Sequence, residues 1–238
     1  MEITNKTVID NLNRFIESAK AIDMSHSMEM GMPNWPTQPP YSYTDINRLD
    51  WGDESFHRSV TFSEHTGTHV DAGAHFVKGT PTVDQISLFQ LMGRAVNIDA
   101  TKTAKRGDYT LEELKQWEKD NGPILKDDIV FFRFGWDEKY GIKPEGKDFY
   151  SDWPGISSKV GEYLRDKNVK AVGTDTMALD ADGTDYPCHE ILLSKDINII
   201  ENVNNLKILP KFFAVIGFAN PFKGGSGSPI RLVAFLDK

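Results

Sequence analysis

Three of the six histidines in this chain, His65, His69 and His75, fall within eleven residues, and Asp71 lies between the last two. No other feature restricts the local fold as strongly. His69 and Asp71 are two apart, so on a strand both side chains leave the same face. On a helix they would diverge by about 200° at 3.6 residues per turn. His65 has the same parity, and Gly67 supplies a turn that can bring it round to the other two. The glycine, threonine and valine content of Ser63-Glu-His-Thr-Gly-Thr-His-Val-Asp-Ala-Gly-Ala-His-Phe76 also opposes a helical pairing of metal-binding histidines. The segment is therefore predicted as strand and turn. Its imidazoles and carboxylate form a donor set suited to Zn²⁺, Mn²⁺ or Fe²⁺.

The rest of the composition narrows the setting. A chain of 238 residues buries roughly 70–75% of its unfolded surface, so a full core needs no staples. One domain over residues 1–238 is expected, with residues 1–21 as an N-terminal helical extension. The formal charge of −8 opposes electrostatic capture of nucleic acid or anionic lipid, so neither is expected as a partner. Cys188 is the one cysteine, which excludes an intrachain disulfide and a thiolate zinc cluster. The N-terminus has no basic stretch before an apolar run, and no segment approaches the ~18 apolar residues of a membrane span. The expected location is the cytoplasm.

Periodicity predicts a mixed α/β chain. Val8, Ile9, Leu12, Phe15 and Ile16 recur at helical spacing, predicting a helix from Lys6 to Ala21. Pro33, Pro36, Pro39 and Pro40 make Met28 to Tyr43 an extended loop, with Trp35 read first as a core plug. Leu111 to Asp120 is a helix opened by Thr110, with Glu113 completing a capping box. Ile129 to Phe134 is a buried strand, Asp137 to Asp152 a polar surface loop, and Ser157 to Asp166 another helix. Val169 to Gly173 follows as a strand, so strand, helix and strand form a parallel crossover. Ile197 to Glu201, Phe212 to Phe218 and Ile230 to Phe235 are further strands, with Gly224 to Pro229 a loop between them. No Lys-Ser or Lys-Thr follows that loop, which is not a phosphate cradle.

The motif His-Thr-Gly-Thr-His-Val-Asp-Ala-x-x-His-Phe resembles the signature of the cyclase-family metal hydrolases, which include bacterial kynurenine formamidase and isatin hydrolase. Ile22 to His26, Gly31 to Pro36, Asp128 to Trp136, Pro154-Gly155, Gly173 to Thr176 and Gly225 to Arg231 resemble further family segments in the same order. The resemblance implies a swivelling β/β/α fold, a mixed sheet with flanking helices, and a homodimer or homotetramer. It also implies a site for one or two divalent ions, Zn²⁺ or Mn²⁺, on His65, His69, Asp71, His189 and Glu201, the last standing twelve positions after His189. Asp71 is the expected bridge between two ions. His75, four beyond Asp71, takes the family's catalytic position, and a histidine moves protons near neutral pH without much tuning. Three departures stand out. Gly73 replaces the proline usual in the formamidase branch, the N-terminal helix is extra, and the 137–152 loop is longer.

The activity expected is hydrolysis of an N-formyl aryl amide or a cyclic amide, a small-molecule substrate. The alternatives are lactone hydrolysis, a metal-assisted cyclase or dehydratase reaction, and metal binding without catalysis. Trp35, Phe76 and Trp136 are candidates to stack on an aryl substrate. Elsewhere simpler readings hold. His26 and His57 are structural or exposed, Cys188 is a small buried residue, and Asp175 and Asp180 order loops or cap a helix.

Overall fold

A computed structural model describes residues 6–142 and 144–238. The first helix, α1 (Lys6–Ser18), lays Phe15 against Phe235 with ring centroids 4.9 Å apart. It stops three residues short of the Ala21 boundary, and the part of the expected extension before Lys6 lies outside the described residues. Ala19 to Asp23 form a strand instead, β1, because backbone pairing with the last strand of the chain overrides the helical pattern.

The strands that follow are β2 (Ser42–Asn47), β3 (His57–Thr61), β4 (His69–Asp71), β5 (Met92–Asp99), β6 (Asp108–Tyr109) and β7 (Ile129–Arg133). After them come β8 (Gly155–Ile156), β9 (Ala171–Thr174), β10 (Asn198–Glu201), β11 (Phe212–Ala219) and β12 (Gly227–Asp237). The helices are α2 (Leu111–Asn121), α3 (Ser158–Lys167) and α4 (Pro187–Leu193). Thr110 and Glu113 make the expected capping box on α2. The 224–229 loop is shorter than expected, since β12 already begins at Gly227.

The main sheet runs β1-β12-β11-β5-β7-β9-β10-β4, and β4 also pairs with β12. That second pairing closes the strands from β12 round to β4 into a ring, which the periodicity did not reveal. The pairs β5–β7, β7–β9 and β9–β10 are parallel and the others in the ring antiparallel, so the sheet is mixed. The crossover predicted from β7 through α3 to β9 is present.

Side-chain alternation divides the core into two layers. Ala95, Ile129, Phe131, Ala171, Ile200 and Val70 point into the ring, where Val215, Leu232 and Ala234 meet them. Their sequence neighbours Val96, Ile98, Val130, Phe132, Val172 and Ile199 point outward and are covered by Leu114 of α2, Val160 and Leu164 of α3, and Cys188 and Leu192 of α4. His69, Asp71 and Glu201 have the outward parity. The register of β4 on β10 sets Glu201 directly opposite His69. Strand parity and one antiparallel pairing thus bring three polar side chains to the outer face beside α4.

The stretch from 137 to 152 differs from the surface loop expected. It forms short 3₁₀ turns and buries Phe149 completely against Trp136, Trp153, Met177 and Ala178, so its few aromatics outweigh its polar average. Behind the site, His26 stacks on Tyr140 at 3.6 Å with the rings 11° apart. Its amide donates to Thr68 Oγ1, whose hydroxyl donates to the Asn202 carbonyl. Burial lowers the His26 pKa to about 4, against the opposing pull of Asp23. The folded value lies below the unfolded one, so the unfolded chain binds the proton more readily. The stabilisation is complete above the ordinary value of about 6.5, shrinks as pH falls, and is gone below about 4. The difference corresponds to roughly 3 kcal/mol. Urea unfolding of His26→Phe should therefore lose less stability than the parent between those limits. Equal losses in both proteins would remove the assignment.

Candidate metal centre

Five of the six expected site residues converge on one spot. His65 Nδ1 lies 2.8 Å and His69 Nε2 3.4 Å from Asp71 Oδ1. His189 Nε2 lies 3.6 Å from the other Asp71 oxygen, Oδ2, and 3.2 Å from Glu201 Oε1. Glu201 Oε2 is 3.4 Å from His69 Nε2. The atoms divide into two overlapping donor sets, His65-His69-Asp71 and Asp71-His189-Glu201, each spanning less than 4.8 Å. Asp71 belongs to both and turns one oxygen to each.

Each imidazole has its far nitrogen tied down. His69 Nδ1 donates to the Gly67 carbonyl at 2.8 Å, leaving Nε2 as the inward atom. Gly67 makes this turn in the left-handed region, at φ +63°, where glycine is favoured. His189 Nδ1 donates to Asp180 Oδ2 at 2.6 Å, again leaving Nε2 inward. The His65 ring is anchored by a hydroxyl. Ser226 Oγ gives its proton to Glu64 Oε2 at 2.9 Å, so it accepts from His65 Nε2 at 2.9 Å and leaves Nδ1 facing Asp71. A Cβ on Gly227 would lie 2.5 Å from His65 Cε1, so a bare glycine is needed beside that ring. Anchoring of the outer nitrogen is what fixes ring orientation and tautomer in metal-binding histidines.

Asp180 takes the helix-capping role, one of those read from sequence, and adds a second. Besides holding His189, its carboxylate accepts the amides of Cys188 and His189 at 2.8 and 3.2 Å, capping the first turn of α4. Asp175 accepts the amides of Phe134, Gly135 and Trp136 and orders the end of β7. Cys188 is fully buried among apolar residues, as expected, and burial pushes its thiol pKa far up. His57 is exposed on β3, away from the cluster.

The electrostatics call for positive charge. Burial works against ionisation of Asp71, yet the charge of His65 and the facing imidazoles of His189 and His69 hold its pKa well below the ordinary carboxylate value. Burial likewise opposes a charge on His69, but hydrogen bonds to Asp71 and Glu201 outweigh it and raise the pKa to about 10. Two buried carboxylates therefore draw protons onto the facing imidazoles. Asp71 Oδ2 is buried and has no hydrogen-bond partner among the described residues. Three imidazoles, two carboxylates and that unpartnered oxygen fit a divalent cation of the Zn²⁺ or Mn²⁺ type.

His75 follows β4 on a short 3₁₀ turn and stacks on His65 with centroids 3.9 Å apart. Burial lowers its pKa, with the Asp71 charge acting the other way. It borders a cavity of about 200 Å³, room for a small molecule and too little for a polymer. Trp35, Phe76, Met177 and Tyr186 form the apolar wall, and His69, His189 and Glu201 the floor. Trp35 thus does more than plug the core. Trp136 does not reach the cavity: it is buried in the aromatic cluster and donates its indole N–H to the Phe149 carbonyl.

Known proteins resemble this chain in sequence and in fold. The Cyclase family, described as “Putative cyclase”, matches residues 22–181. A kynurenine formamidase of Salinibacter ruber is 27% identical over 220 residues, covering 89% of this chain and 95% of its own. An isatin hydrolase of Roseibium aggregatum is 28% identical over 196 residues, covering 75% of this chain and 74% of its own. The solved structure of isatin hydrolase A from Labrenzia aggregata, bound to benzyl benzoate, superimposes with a TM-score of 0.88. At 24% identity over 98% of this chain and 100% of that one, this likeness shows the fold.

Proposed function

Because this chain belongs to the cyclase family, we propose that it is a metal-dependent hydrolase that opens a C–N amide bond of an N-formyl aryl amide or a cyclic amide. One observation carries the reading: two donor sets share the buried Asp71, and their His69, His189 and Glu201 line the floor of a small-molecule cavity that His75 borders. A purely structural metal site is closed and needs no proton carrier at its rim.

His65, His69 and Asp71 would hold one ion, and Asp71, His189 and Glu201 a second. A divalent ion bound there supplies Lewis acidity, which polarises a carbonyl and lowers the pKa of water from ~15.7 toward ~7. The protein's residues supply the rest. Asp180, the Gly67 carbonyl and Ser226 hold the three imidazoles in the required tautomers. The side chain of His75 makes no hydrogen bond among the described residues, so it is available to take a proton from the attacking water. Water adds to the carbonyl carbon, the C–N bond breaks, and His75 returns the proton to the departing nitrogen. The products are a carboxylic acid and an amine.

The test is to strip the protein of metal, reload it separately with Zn²⁺ and Mn²⁺, and offer N-formylkynurenine, its tail-free analogue 2′-formamidoacetophenone, and isatin. Turnover of at least one of them should appear only with metal, and one oxygen from ¹⁸O-water should enter the product. No turnover of any with metal bound, or a product without solvent oxygen, would overturn amide hydrolysis.

A further inference from the structure

Tyr186 occupies a backbone conformation its side chain does not favour. Its φ of +57° and ψ of +47° lie in the left-handed region, which a bulky aromatic rarely adopts. The next residue is Pro187, which further restricts the residue before it. Nothing in helix formation demands a tyrosine there, and glycine would take the same turn without strain. Strain of this kind persists where the side chain is needed.

The side chain sits at the cavity. The Tyr186 ring lies 6.2 Å from Trp35, 5.8 Å from Phe76 and 5.6 Å from His189, tilted to each by more than 50°. It therefore ties the aromatic wall to the donor set through His189. The wall also has a charge character. Among the described residues lining the cavity there is no lysine or arginine. The Asn34 side-chain N–H groups are committed to the carbonyls of Trp35 and Gln38, and the Gln38 side-chain oxygen accepts from Ser63, so this wall offers a neutral Gln38 amide N–H and no cation. An ionised group held away from the floor would meet rings and Met177 without a counter-charge, and burial of an unpaired charge is strongly disfavoured. An uncharged ring gains stacking on the same surface.

We infer that Tyr186 determines specificity in this cavity, and that with Trp35 and Phe76 it selects flat, uncharged aryl amides over aryl amides carrying an ionised amino-acid tail. The inference rests on the amide-hydrolase reading and divides its aryl amide substrates by the charge they carry.

A matched pair tests it without relying on turnover. 2-Aminoacetophenone and kynurenine share the ring, the amine and the ketone, and differ in the zwitterionic tail. By calorimetry on the metal-loaded protein, 2-aminoacetophenone should bind at least about 30-fold tighter. Tyr186→Gly should weaken it about tenfold while metal content is unchanged and the melting temperature is equal or higher. Tyr186→Phe should stay within about twofold, since the ring and not the hydroxyl acts. Equal or tighter binding of kynurenine would overturn the inference, as would unchanged affinity in Tyr186→Gly. Hydrolysis separates the two readings. If the tail-free formamide is turned over well and N-formylkynurenine poorly, both stand. If the ligand preference appears but no amide is hydrolysed, the selectivity stands and the hydrolase reading falls.

Discussion

Replacing Asp71 with asparagine should leave a folded protein that no longer retains metal. Asp71 is fully buried, and its two oxygens face different donor sets, so one substitution weakens both. Asparagine keeps the size and one carbonyl oxygen, but it removes the charge that His65, His69 and His189 surround. After dialysis the variant should hold less than about a tenth of the parent's metal, with hydrolysis falling at least about 10³-fold. Asp180→Asn provides the graded comparison. It leaves every inward atom in place and loosens the anchor of His189 Nδ1 together with the amide cap of α4, so affinity should fall about 10- to 100-fold with metal still bindable at higher concentration. Atomic absorption and calorimetry read both. Stoichiometric metal in Asp71→Asn would refute the bridging assignment, and equal losses in the two variants would refute the distinction between holding the ion and holding the ligand.

The local half of the site was legible in the sequence because its physics is local. His65, His69 and Asp71 lie within seven residues, and the two-residue period of a strand puts the last two on one face without knowledge of the fold. His189 and Glu201 are brought in by long-range structure: the pairing of β10 with β4, and a helix of seven residues opened by Pro187. Neither has a local signature, and only the family resemblance pointed to them. The anchors were missed for the same reason. Asp180 precedes His189 by nine residues, and Ser226 meets His65 across 161 positions. A carboxylate near a suspected ligand was a usable signal for Asp180; Ser226 had none. Ring closure depends on β4 pairing at both edges, which no periodicity encodes. At 137–152 and at Trp136, average polarity concealed an aromatic cluster, because a few large side chains decide where a segment packs. The N-terminal helix was read too long because Ala19 to Asp23 take their structure from the far end of the chain.

His75→Ala should lower turnover by roughly 10²–10⁴-fold with metal content unchanged. The side chain lies outside both donor sets yet stacks on His65, so its loss should affect proton transfer before it affects ion retention. His75→Gln keeps more of the stacking volume and should be similarly slow, which separates loss of a base from collapse of the cavity. The pH profile gives a second readout. Burial lowers the His75 pKa below its ordinary 6.5, with Asp71 opposing, so the ring is neutral and able to accept a proton at pH 7. As pH falls through that lowered value the base becomes protonated and kcat/KM of the parent should decline. The limb should therefore begin at lower pH than an unperturbed histidine would give. Measured on protein whose bound metal is assayed at every pH, this acid limb should be absent from His75→Ala. A variant with normal turnover, or one that keeps the same limb at constant metal occupancy, would show that another group moves the proton.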